Sequence, residues 1–285
     1  MLAAHAHAQS PKPPPYPPPG RLVDIGGYRV HLYCSGEGNP AVIVVGAGFS
    51  FDWALVQPEV AKFTRICTYD PSGTAWSDPG PPLTCASRVN EIHQVLQTAE
   101  VKGPYVLVGL SAGALVTRLY ASLYPDAVAG VVMVDHAFID VRSAPAPEAG
   151  NSGSNRPVLL QQTPMTFTAE DSSQFRNLPE RSRQLHRWAA SLQPVLPTVE
   201  TAKDCLAQLK STEKAPHPLG NKPLVVISTG NRQPSYKKLQ EELLGLSQQS
   251  EQMMAAASFH SVEIDEPDVV ITGIGVVVDK VRQPR

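Results

Sequence analysis

The sequence predicts an α/β fold in which a mostly parallel sheet is covered by helices on both faces. Short, wholly apolar runs recur along the chain, as expected of strands that are buried on both faces. Amphipathic helical patterns separate these runs, and such strand–helix alternation is typical of parallel sheets. The alternation stops after residue 135 and resumes at about 221, which indicates an insertion in the core. The strand-like runs are 41–45, 104–109, 127–135 and 223–229.

Local patterns predict the other elements. A tight turn at Gly26-Gly27 joins two strands, "TRICTYD" indicates a further strand, and a weak strand is expected near 252–258. Gly273 and Gly275 each weaken the last helix by roughly 1 kcal/mol relative to alanine. Helices are predicted over "FDWALVQPEVAKF" and "LTCASRVNEIHQVLQTAEV", from Ser111 to Tyr124, near 236–247 and over 266–283.

The chain divides into a tail, a core and an insertion. Residues 1–20 form a disordered tail, because 11–19 are nearly all proline and favour polyproline II structure, which we expect to stay outside the fold. The α/β core comprises 21–135 and 221–285. The insertion, 136–220, is predicted to be a helical cap or lid, with a flexible stretch at 143–157 and helices near 178–193 and 199–212.

Composition argues against several classes of function. The net charge is −2 and the Lys and Arg residues are scattered, so no nucleic-acid surface is expected. No apolar stretch approaches the ~20 residues that span a bilayer. The four cysteines match no CxxC or Cys/His metal pattern, and we expect neither a metal nor an organic cofactor. Their even number agrees with two disulfides and export, but it also arises by chance.

The N-terminus bears on localisation. Ala4-His5-Ala6 and Ala6-His7-Ala8 resemble signal-peptidase sites, although the positive n-region and a long apolar segment are missing. We therefore expect a secreted or periplasmic protein whose N-terminus resembles a truncated signal peptide. An ordinary disordered tail is the alternative.

Ser111 is the candidate nucleophile. It lies in Gly109-Leu110-Ser111-Ala112-Gly113, between a predicted buried strand and a predicted helix. A G-x-S-x-G sequence in this context is typical of a nucleophile elbow, in which a strained turn projects the hydroxyl above the sheet. Gly109 and Gly113 let the backbone turn sharply, and the helix start presents N–H groups to a developing oxyanion. The alternative is a plain Gly/Ser loop.

Two long segments carry a resemblance to a known family. "GPYVLVGLSAGALVTRLYASLYPDAVAGVVMVD" resembles the nucleophile segment of the serine α/β-hydrolase superfamily. "FDWALVQPEVAKFTRICTYDPSGTAWSDPGP" is similar to the segment that follows that superfamily's oxyanion loop. The resemblance covers 21–135 and 223–283, implies the α/β-hydrolase fold, and makes the insertion the cap. A serine nucleophile argues against the dehalogenase and epoxide hydrolase branches, which use aspartate at that position.

His260 is the candidate general base. Of the eight histidines, the others lie in the tail, within a strand or helices, between prolines, or directly after a strand end. His260 lies in a loop before Asp265-Glu266-Pro267, and the family pattern is a loop histidine followed by an acid-x-Pro helix start. In that role it would take the Ser111 proton and return it to the leaving group.

The acid of the triad has three candidates. Most of the superfamily places it after the seventh strand, where this chain offers only Asn231, an amide that cannot stabilise imidazolium by charge. Some branches place it at the end of the sixth strand, where Asp135 closes "VVMVD". Asp135 keeps the order Ser…Asp…His and is the first choice. Asp140 comes next and Asn231 last.

The resemblance also implies an oxyanion hole and two disulfides. The donors would be the backbone N–H groups of Ala112 and of Phe49, where Ala47-Gly48-Phe49 replaces the family's usual His-Gly-x. Asp70 in "TYDPSG" would be a structural turn residue. The strands that carry Cys34 and Cys67 would be neighbours, so these cysteines would pair, and Cys85 with Cys205 would tie the cap to the core.

The expected function is hydrolysis of a carboxylic ester or related acyl bond of a small molecule through an acyl-enzyme. Two alternatives stay open: the same triad acting on amide, lactone or carbon–carbon bonds, and a hydrolase-like receptor that binds a small ligand without turnover. Several large apolar residues of the insertion either line a substrate cleft or form the cap's own core, and we favour the latter. They are Phe138, Met165, Phe167, Phe175 and Trp188.

Overall fold

A twisted central sheet organises the molecule. The computed structural model describes residues 13–46, 48–136, 175–192, 199–230 and 234–283, and within them the sheet has eight strands in the order β1-β2-β4-β3-β5-β6-β7-β8. β2 runs antiparallel to β1 and β4, and the other neighbours are parallel. The strands are β1 (Arg21–Asp24), β2 (Arg29–Ser35), β3 (Val42–Val45), β4 (Ile66–Asp70), β5 (Tyr105–Leu110), β6 (Val128–Val134), β7 (Leu224–Thr229) and β8 (Ser250–Ala255).

Helices connect the strands and cover the sheet. Short 3₁₀ segments lie at Ser50–Trp53, Pro125–Ala127 and Leu243–Leu246. The α-helices are α1 (Gln57–Val60), α2 (Cys85–Thr98), α3 (Ala112–Leu123), α4 (Glu180–Ser191), α5 (Val199–Thr212), α6 (Pro234–Glu242), α7 (Val262–Asp265) and α8 (Pro267–Arg282). Among the described residues, no helix combines the length and the apolar character that crossing a membrane requires.

The buried side chains form one cluster on each face of the sheet. Because strand side chains alternate between faces, Ile43 and Val45 of β3 point into one cluster, and Val42 and Val44 point into the other. The first cluster includes residues of α2, α3 and α5, and the second includes residues of α1 and α8. This arrangement confirms the predicted α/β class.

One region differs from the expected helices, and the last helix forms as predicted despite its glycines. The segment from Phe51 onward is not one helix but the 3₁₀ turn Ser50–Trp53 followed by α1, with Pro58 in the first turn of α1, where a missing N–H group costs nothing. The last helix, in contrast, runs unbroken through Gly273. A Cβ atom there would lie 3.0 Å from Ile227 Cδ1 and 3.2 Å from Val225 Cγ1, so the glycine lets α8 approach β7 closely.

The described part of the proline-rich segment, residues 13–20, packs on the fold, and the expectation that it stays outside is wrong there. The Tyr16 hydroxyl donates to Gln184 Oε1 of α4 at 2.5 Å, and the Tyr16 ring lies under the Arg181 guanidinium. The carbonyl of Pro19 accepts a hydrogen bond from His31 Nε2. A proline-rich chain loses little conformational entropy on docking, which favours the observed contacts of Tyr16 and Pro19.

Both implied disulfides are present. Cys34 and Cys67 are register partners on β2 and β4 and bond to each other, and Cys85 at the start of α2 bonds Cys205 of α5. Cys205 and Leu209 are buried in the same cluster as α2 and α3, so the second bridge joins α5 to the helical layer of the core. The division into a 136–220 cap and a core stays a prediction, since 137–174 and 193–198 lie outside the described residues.

The disulfides predict a simple chemical result. We expect thiol alkylation of the denatured, unreduced protein to leave its mass unchanged, because all four cysteines are bonded. After reduction, four alkyl groups should be added, as intact-protein mass spectrometry will show. Four alkylated thiols without reductant would contradict both bridges.

Replacing Cys85 and Cys205 together by alanine should lower the free energy of unfolding by about 2–5 kcal/mol, measured by urea denaturation.

Candidate active site

Ser111 occupies a strained elbow between β5 and α3. Its backbone has φ +54° and ψ −122°, a conformation that costs an L-residue on the order of 1–3 kcal/mol and is concentrated at functional sites. The Ser111 N–H donates to the carbonyl of Val134 at 3.0 Å, which ties the elbow to the end of β6. The strained residue of the turn from β5 into α3 is therefore the serine of G-x-S-x-G.

The elbow glycines allow close backbone contacts that a side chain would block. A Cβ atom on Gly113 would lie 1.8 Å from the carbonyl oxygen of Val45 at the end of β3. One on Gly109 would lie 2.5 Å from Ala114 Cα. Both distances are far below van der Waals contact, so the turn from β5 into α3 requires glycine at both positions.

Asp135 and His260 are in direct contact. Asp135 follows β6 with φ +38° and is fully buried, and its Oδ2 lies 2.5 Å from His260 Nδ1. Thr229 Oγ1, at the end of β7, donates to the other carboxylate oxygen at 3.2 Å. The His260 side chain is 47% exposed, so a buried carboxylate holds an imidazole that reaches the surface. With its Nδ1 directed to Asp135, the ring presents Nε2 as the nitrogen that can accept a proton.

Sheet register places Ser111 at the same edge as this pair. Leu110 of β5 is paired with Val134 of β6, so Ser111 and Asp135, the residues that follow them, both leave the carboxyl end of the sheet. His260 comes to that edge from the loop after β8. The other two acid candidates, Asp140 and Asn231, lie outside the described residues.

The loop after β3 comprises residues 46–49 and is here called the β3 loop. Its Phe49 N–H, which was expected to donate to an oxyanion, has another acceptor. The Phe49 N–H donates to Asp52 Oδ2 at 2.9 Å, so this amide is directed to a carboxylate rather than to an oxyanion in this conformation. The hydrogen bond caps the start of the 3₁₀ turn, where the Asp52 N–H in turn donates to the carbonyl of Phe49 at 3.1 Å. Ala112 is the first residue of α3, and the first N–H groups of a helix have no acceptor within it.

A first buried Asp–His pair supports the β3 loop from the core side. Asp70 Oδ2 lies 2.7 Å from His31 Nδ1, and both side chains are fully buried. The same carboxylate accepts from the Ser50 N–H at 2.8 Å and from Ser50 Oγ at 3.1 Å. Asp70 is thus the last residue of β4 rather than the expected turn residue, and it binds the backbone at Ser50. The role of His31 was missed, since a histidine within a strand carries no sequence signal of its partner.

A second buried Asp–His pair approaches from α4. Asp52 Oδ1 lies 2.8 Å from His186 Nδ1, and these residues are 4% and 8% exposed. His186 lies within a helix, as its sequence predicts, and that position alone gives no sign of a buried partner. Asp52 carried no capping-box signal either, because the residue three positions before it is Phe49, which has no side-chain acceptor. No local pattern could have paired it with a histidine 134 residues away.

Glu263 is a buried carboxyl group whose electrostatic environment includes Asp52 and Asp135. It lies on α7 and is 3% exposed. Burial raises its pKa well above the ordinary value of 4.5, and the negative charges of Asp52, Asp265 and Asp135 raise it further, while a backbone hydrogen bond acts in the opposite direction. Glu263 is therefore neutral at pH values where a solvent-exposed glutamate is ionised.

The raised pKa of Glu263 predicts how stability depends on pH. Between 4.5 and the folded-state pKa, the folded protein holds a proton that the unfolded chain has lost, so Glu263 lowers stability by up to about 1.4 kcal/mol for each unit of rising pH. We expect Glu263→Gln to match the wild type in Tm below pH 4.5 and to exceed it by a growing margin as the pH rises from 4.5 towards the folded-state pKa of Glu263. Thermal unfolding followed by circular dichroism measures this, with Glu241→Gln, an exposed site, as the control. A constant difference across pH would contradict the assignment.

An aromatic cluster joins α4 to the β3 loop. Phe49, Phe51, Leu185 and Trp188 are buried together. The Phe175 ring lies 4.1 Å from the imidazole of His186. Trp188 thus packs between α4 and the core, whereas the Phe175 ring contacts His186 within the insertion. The other apolar candidates of the insertion, Phe138, Met165 and Phe167, lie outside the described residues.

Comparison with known proteins gives the same fold and family. The sequence matches the alpha/beta hydrolase family model over residues 41–272. It is 28% identical over 257 residues to "Uncharacterized protein YqjL" of Bacillus subtilis (strain 168), covering 86% of this chain and 87% of that protein. It is 29% identical over 121 residues to a 2-hydroxy-6-oxo-2,4-heptadienoate hydrolase of Pseudomonas putida, covering 40% of this chain and 44% of the relative.

Solved structures share the architecture. A thermophilic esterase from Thermogutta terrifontis aligns with a TM-score of 0.64 and 21% identity over 92% of this chain and 98% of its own. A meta-cleavage product hydrolase from Pseudomonas fluorescens IP01 aligns with a TM-score of 0.63 and 17% identity over 92% and 97%. At such identities the likeness shows the fold, and the family model extends over most of the sequence. The chain belongs to the alpha/beta hydrolase family.

Proposed function

We propose that the protein is a serine hydrolase that cleaves carboxylic esters of small molecules through an acyl-enzyme. The observation that carries the proposal is the contact between buried Asp135 and partly exposed His260, at the sheet edge from which the Ser111 elbow projects. A carboxylate that orients an imidazole beside an activated serine is the arrangement that nucleophilic acyl transfer requires.

The reaction has two halves. Ser111 Oγ attacks the ester carbonyl carbon while His260 Nε2 takes the hydroxyl proton, and the tetrahedral intermediate then expels the alcohol, which receives that proton. Water attacks the acyl-enzyme with His260 again as base, and the carboxylic acid leaves as the Ser111 hydroxyl is restored. Asp135 holds the imidazole and stabilises its positive charge in both halves.

The oxyanion hole is proposed to combine the Ala112 N–H with an amide of the β3 loop. The first N–H groups of α3 and the positive end of its dipole favour negative charge at this point. Since the Phe49 N–H is directed to Asp52, we assign the second donor to another backbone amide of this loop. Each such donor is typically worth about 3–4 kcal/mol of transition-state stabilisation.

Cleavage of a carbon–carbon bond is the second candidate. Two of the relatives are named as hydrolases of 2-hydroxy-6-oxo-2,4-heptadienoate and of 2-hydroxymuconate semialdehyde, and the chain spans less than half the length of each. The same triad could perform this chemistry. The insertion that would hold the substrate differs between branches, so the names of these relatives do not decide the substrate of this chain.

We also propose that the protein works in an oxidising compartment, outside the cytosol. Two disulfides with no free cysteine among the described residues support this, because such bridges persist mainly in exported proteins.

One experiment separates the candidate functions. Hydrolysis of p-nitrophenyl acetate, p-nitrophenyl butyrate and 2-hydroxy-6-oxo-2,4-heptadienoate is measured side by side, with an early time course for the esters. We expect a burst of p-nitrophenol equal to the enzyme concentration and a higher kcat/KM on an ester than on the dienoate. Cleavage of the dienoate alone would establish the carbon–carbon reaction instead. No turnover of any of the three would favour a ligand-binding receptor.

A further inference from the structure

We propose that His186 is a positioning residue for the β3 loop and acts through Asp52. The inference rests on the proposed function, because it concerns the loop assigned to the oxyanion hole. Asp52 and His186 do not touch the reacting atoms in this account. Their role is to hold the loop in the geometry from which its amides can bind an oxyanion.

The Asp52 carboxylate connects the loop to α4. Its Oδ2 accepts from the Phe49 N–H at 2.9 Å, and its Oδ1 accepts from His186 Nδ1 at 2.8 Å. Asp52 is 4% exposed, so water does not compete strongly for these oxygens. The two hydrogen bonds use opposite oxygens of one planar group, and a change at His186 therefore rotates the acceptor that Phe49 depends on.

The carboxylate also lies against the loop backbone. A Cβ atom on Gly48 would be 2.5 Å from Asp52 Oδ2, so only glycine leaves room for the carboxylate at this point. On the far side of the loop, the Ser50 N–H donates to Asp70 at 2.8 Å. Successive amides at Phe49 and Ser50 are thus fixed by two different buried carboxylates, of which only Asp52 is reached from α4.

The helix that carries His186 is itself anchored to the core. Leu185, Trp188 and Ala189 of α4 are buried against Phe49 and Phe51, and Tyr16 packs on the same cluster. His186 therefore approaches Asp52 from a fixed direction. Without the His186 imidazole, the buried Asp52 carboxylate would lose a hydrogen-bond donor. The response of lowest free energy is a rotation of the Asp52 carboxylate that also moves the Phe49 N–H.

Two substitutions of His186 separate the hydrogen bond from the packing. His186→Phe keeps an aromatic ring next to Phe49 and Phe175 but removes the donor to Asp52. His186→Asn loses the ring but places an N–H donor near the position of Nδ1. Arg187→Ala is the control on the same helix, since its side chain is exposed and bonds only Glu180 among the described residues.

Two readouts are measured for each variant. Hydrogen–deuterium exchange of peptides covering 48–56 reports the order of the loop and needs no catalysis. Steady-state kinetics on p-nitrophenyl butyrate report kcat and KM separately. For His186→Phe we expect exchange at the loop to rise about tenfold and kcat to fall about tenfold, with KM within about twofold, because a small misplacement of an oxyanion donor acts on the transition state. His186→Asn should retain most of the protection of the loop against exchange and most of kcat. Arg187→Ala should equal the wild type in both readouts.

Other outcomes decide against the inference. The proposal is overturned if hydrogen–deuterium exchange of the loop in His186→Phe equals that of the wild type. It is also overturned if kcat falls as far in His186→Asn as in His186→Phe, since packing alone would then explain the effect. A rise in KM without a fall in kcat also overturns it. A wild type without esterase activity that still shows the expected exchange pattern would refute the proposed function while supporting the positioning of the loop by His186.

Discussion

Ser111→Ala is expected to reduce kcat for ester hydrolysis by about 10⁶-fold while the protein stays folded. Loss of the nucleophile of a serine hydrolase removes the covalent route entirely, and only binding and the oxyanion hole then act on the reaction. Alanine is smaller than serine and shares its backbone restrictions, so the strained elbow at φ +54° is not burdened further. Initial rates on p-nitrophenyl butyrate measure the loss, and circular dichroism at equal concentration checks the fold.

Ser211→Ala, at an exposed site on α5, is the matched control and should equal the wild type. A residual rate within tenfold of the wild type in Ser111→Ala would mean that Ser111 is a turn residue and that hydrolysis takes place elsewhere.

Asp135→Asn is expected to reduce kcat by about 10⁴-fold. Asparagine keeps the size of the side chain, but its amide turns an N–H group toward His260 Nδ1 or leaves a neutral oxygen there. The imidazole then adopts the wrong tautomer or loses the charge that stabilises its protonated form. The 2.5 Å contact between Asp135 Oδ2 and Nδ1 and the hydrogen bond from Thr229 identify the oxygen whose loss matters.

The comparison for this prediction is Asp140→Asn, the next candidate for the acid. We expect that variant to stay within about twofold of the wild type in kcat, measured on the same ester. A large loss in Asp140→Asn with a small loss in Asp135→Asn would reverse the assignment and show that the contact with His260 is structural.

The strands and the elbow could be predicted because each follows from a local pattern. Buried parallel strands leave runs such as "AVIVV", and the elbow leaves two glycines at fixed distances from Ser111. The Asp135–His260 contact was reached differently, through the resemblance to a family in which the acid occurs after either of two strands. Register between β5 and β6 then explains why an acid directly after β6 reaches this edge.

The support of the β3 loop could not be predicted, because it depends on contacts between distant parts of the chain. Asp52 and His186 are far apart in sequence, and nothing in the pattern of α4 distinguishes His186 from a surface histidine. The same holds for Glu263, whose pKa is raised by burial and by the charges of Asp52, Asp265 and Asp135, since Asp52 and Asp135 are far from it in sequence. The Phe49 amide was assigned to the oxyanion hole by analogy, and the competing acceptor at Asp52 directs it elsewhere.

Covalent labelling is the most direct test of whether Ser111 is the nucleophile. The wild type, Ser111→Ala and His260→Ala are incubated with diethyl p-nitrophenyl phosphate, and the modified residue is located by peptide mass spectrometry. If Ser111 is the nucleophile and His260 its base, we expect one diethylphosphoryl group per wild-type molecule, carried by Ser111. Labelling should be much slower in His260→Ala and absent in Ser111→Ala. A label on any other residue, or equal labelling of wild type and Ser111→Ala, would contradict the claim that Ser111 is the nucleophile.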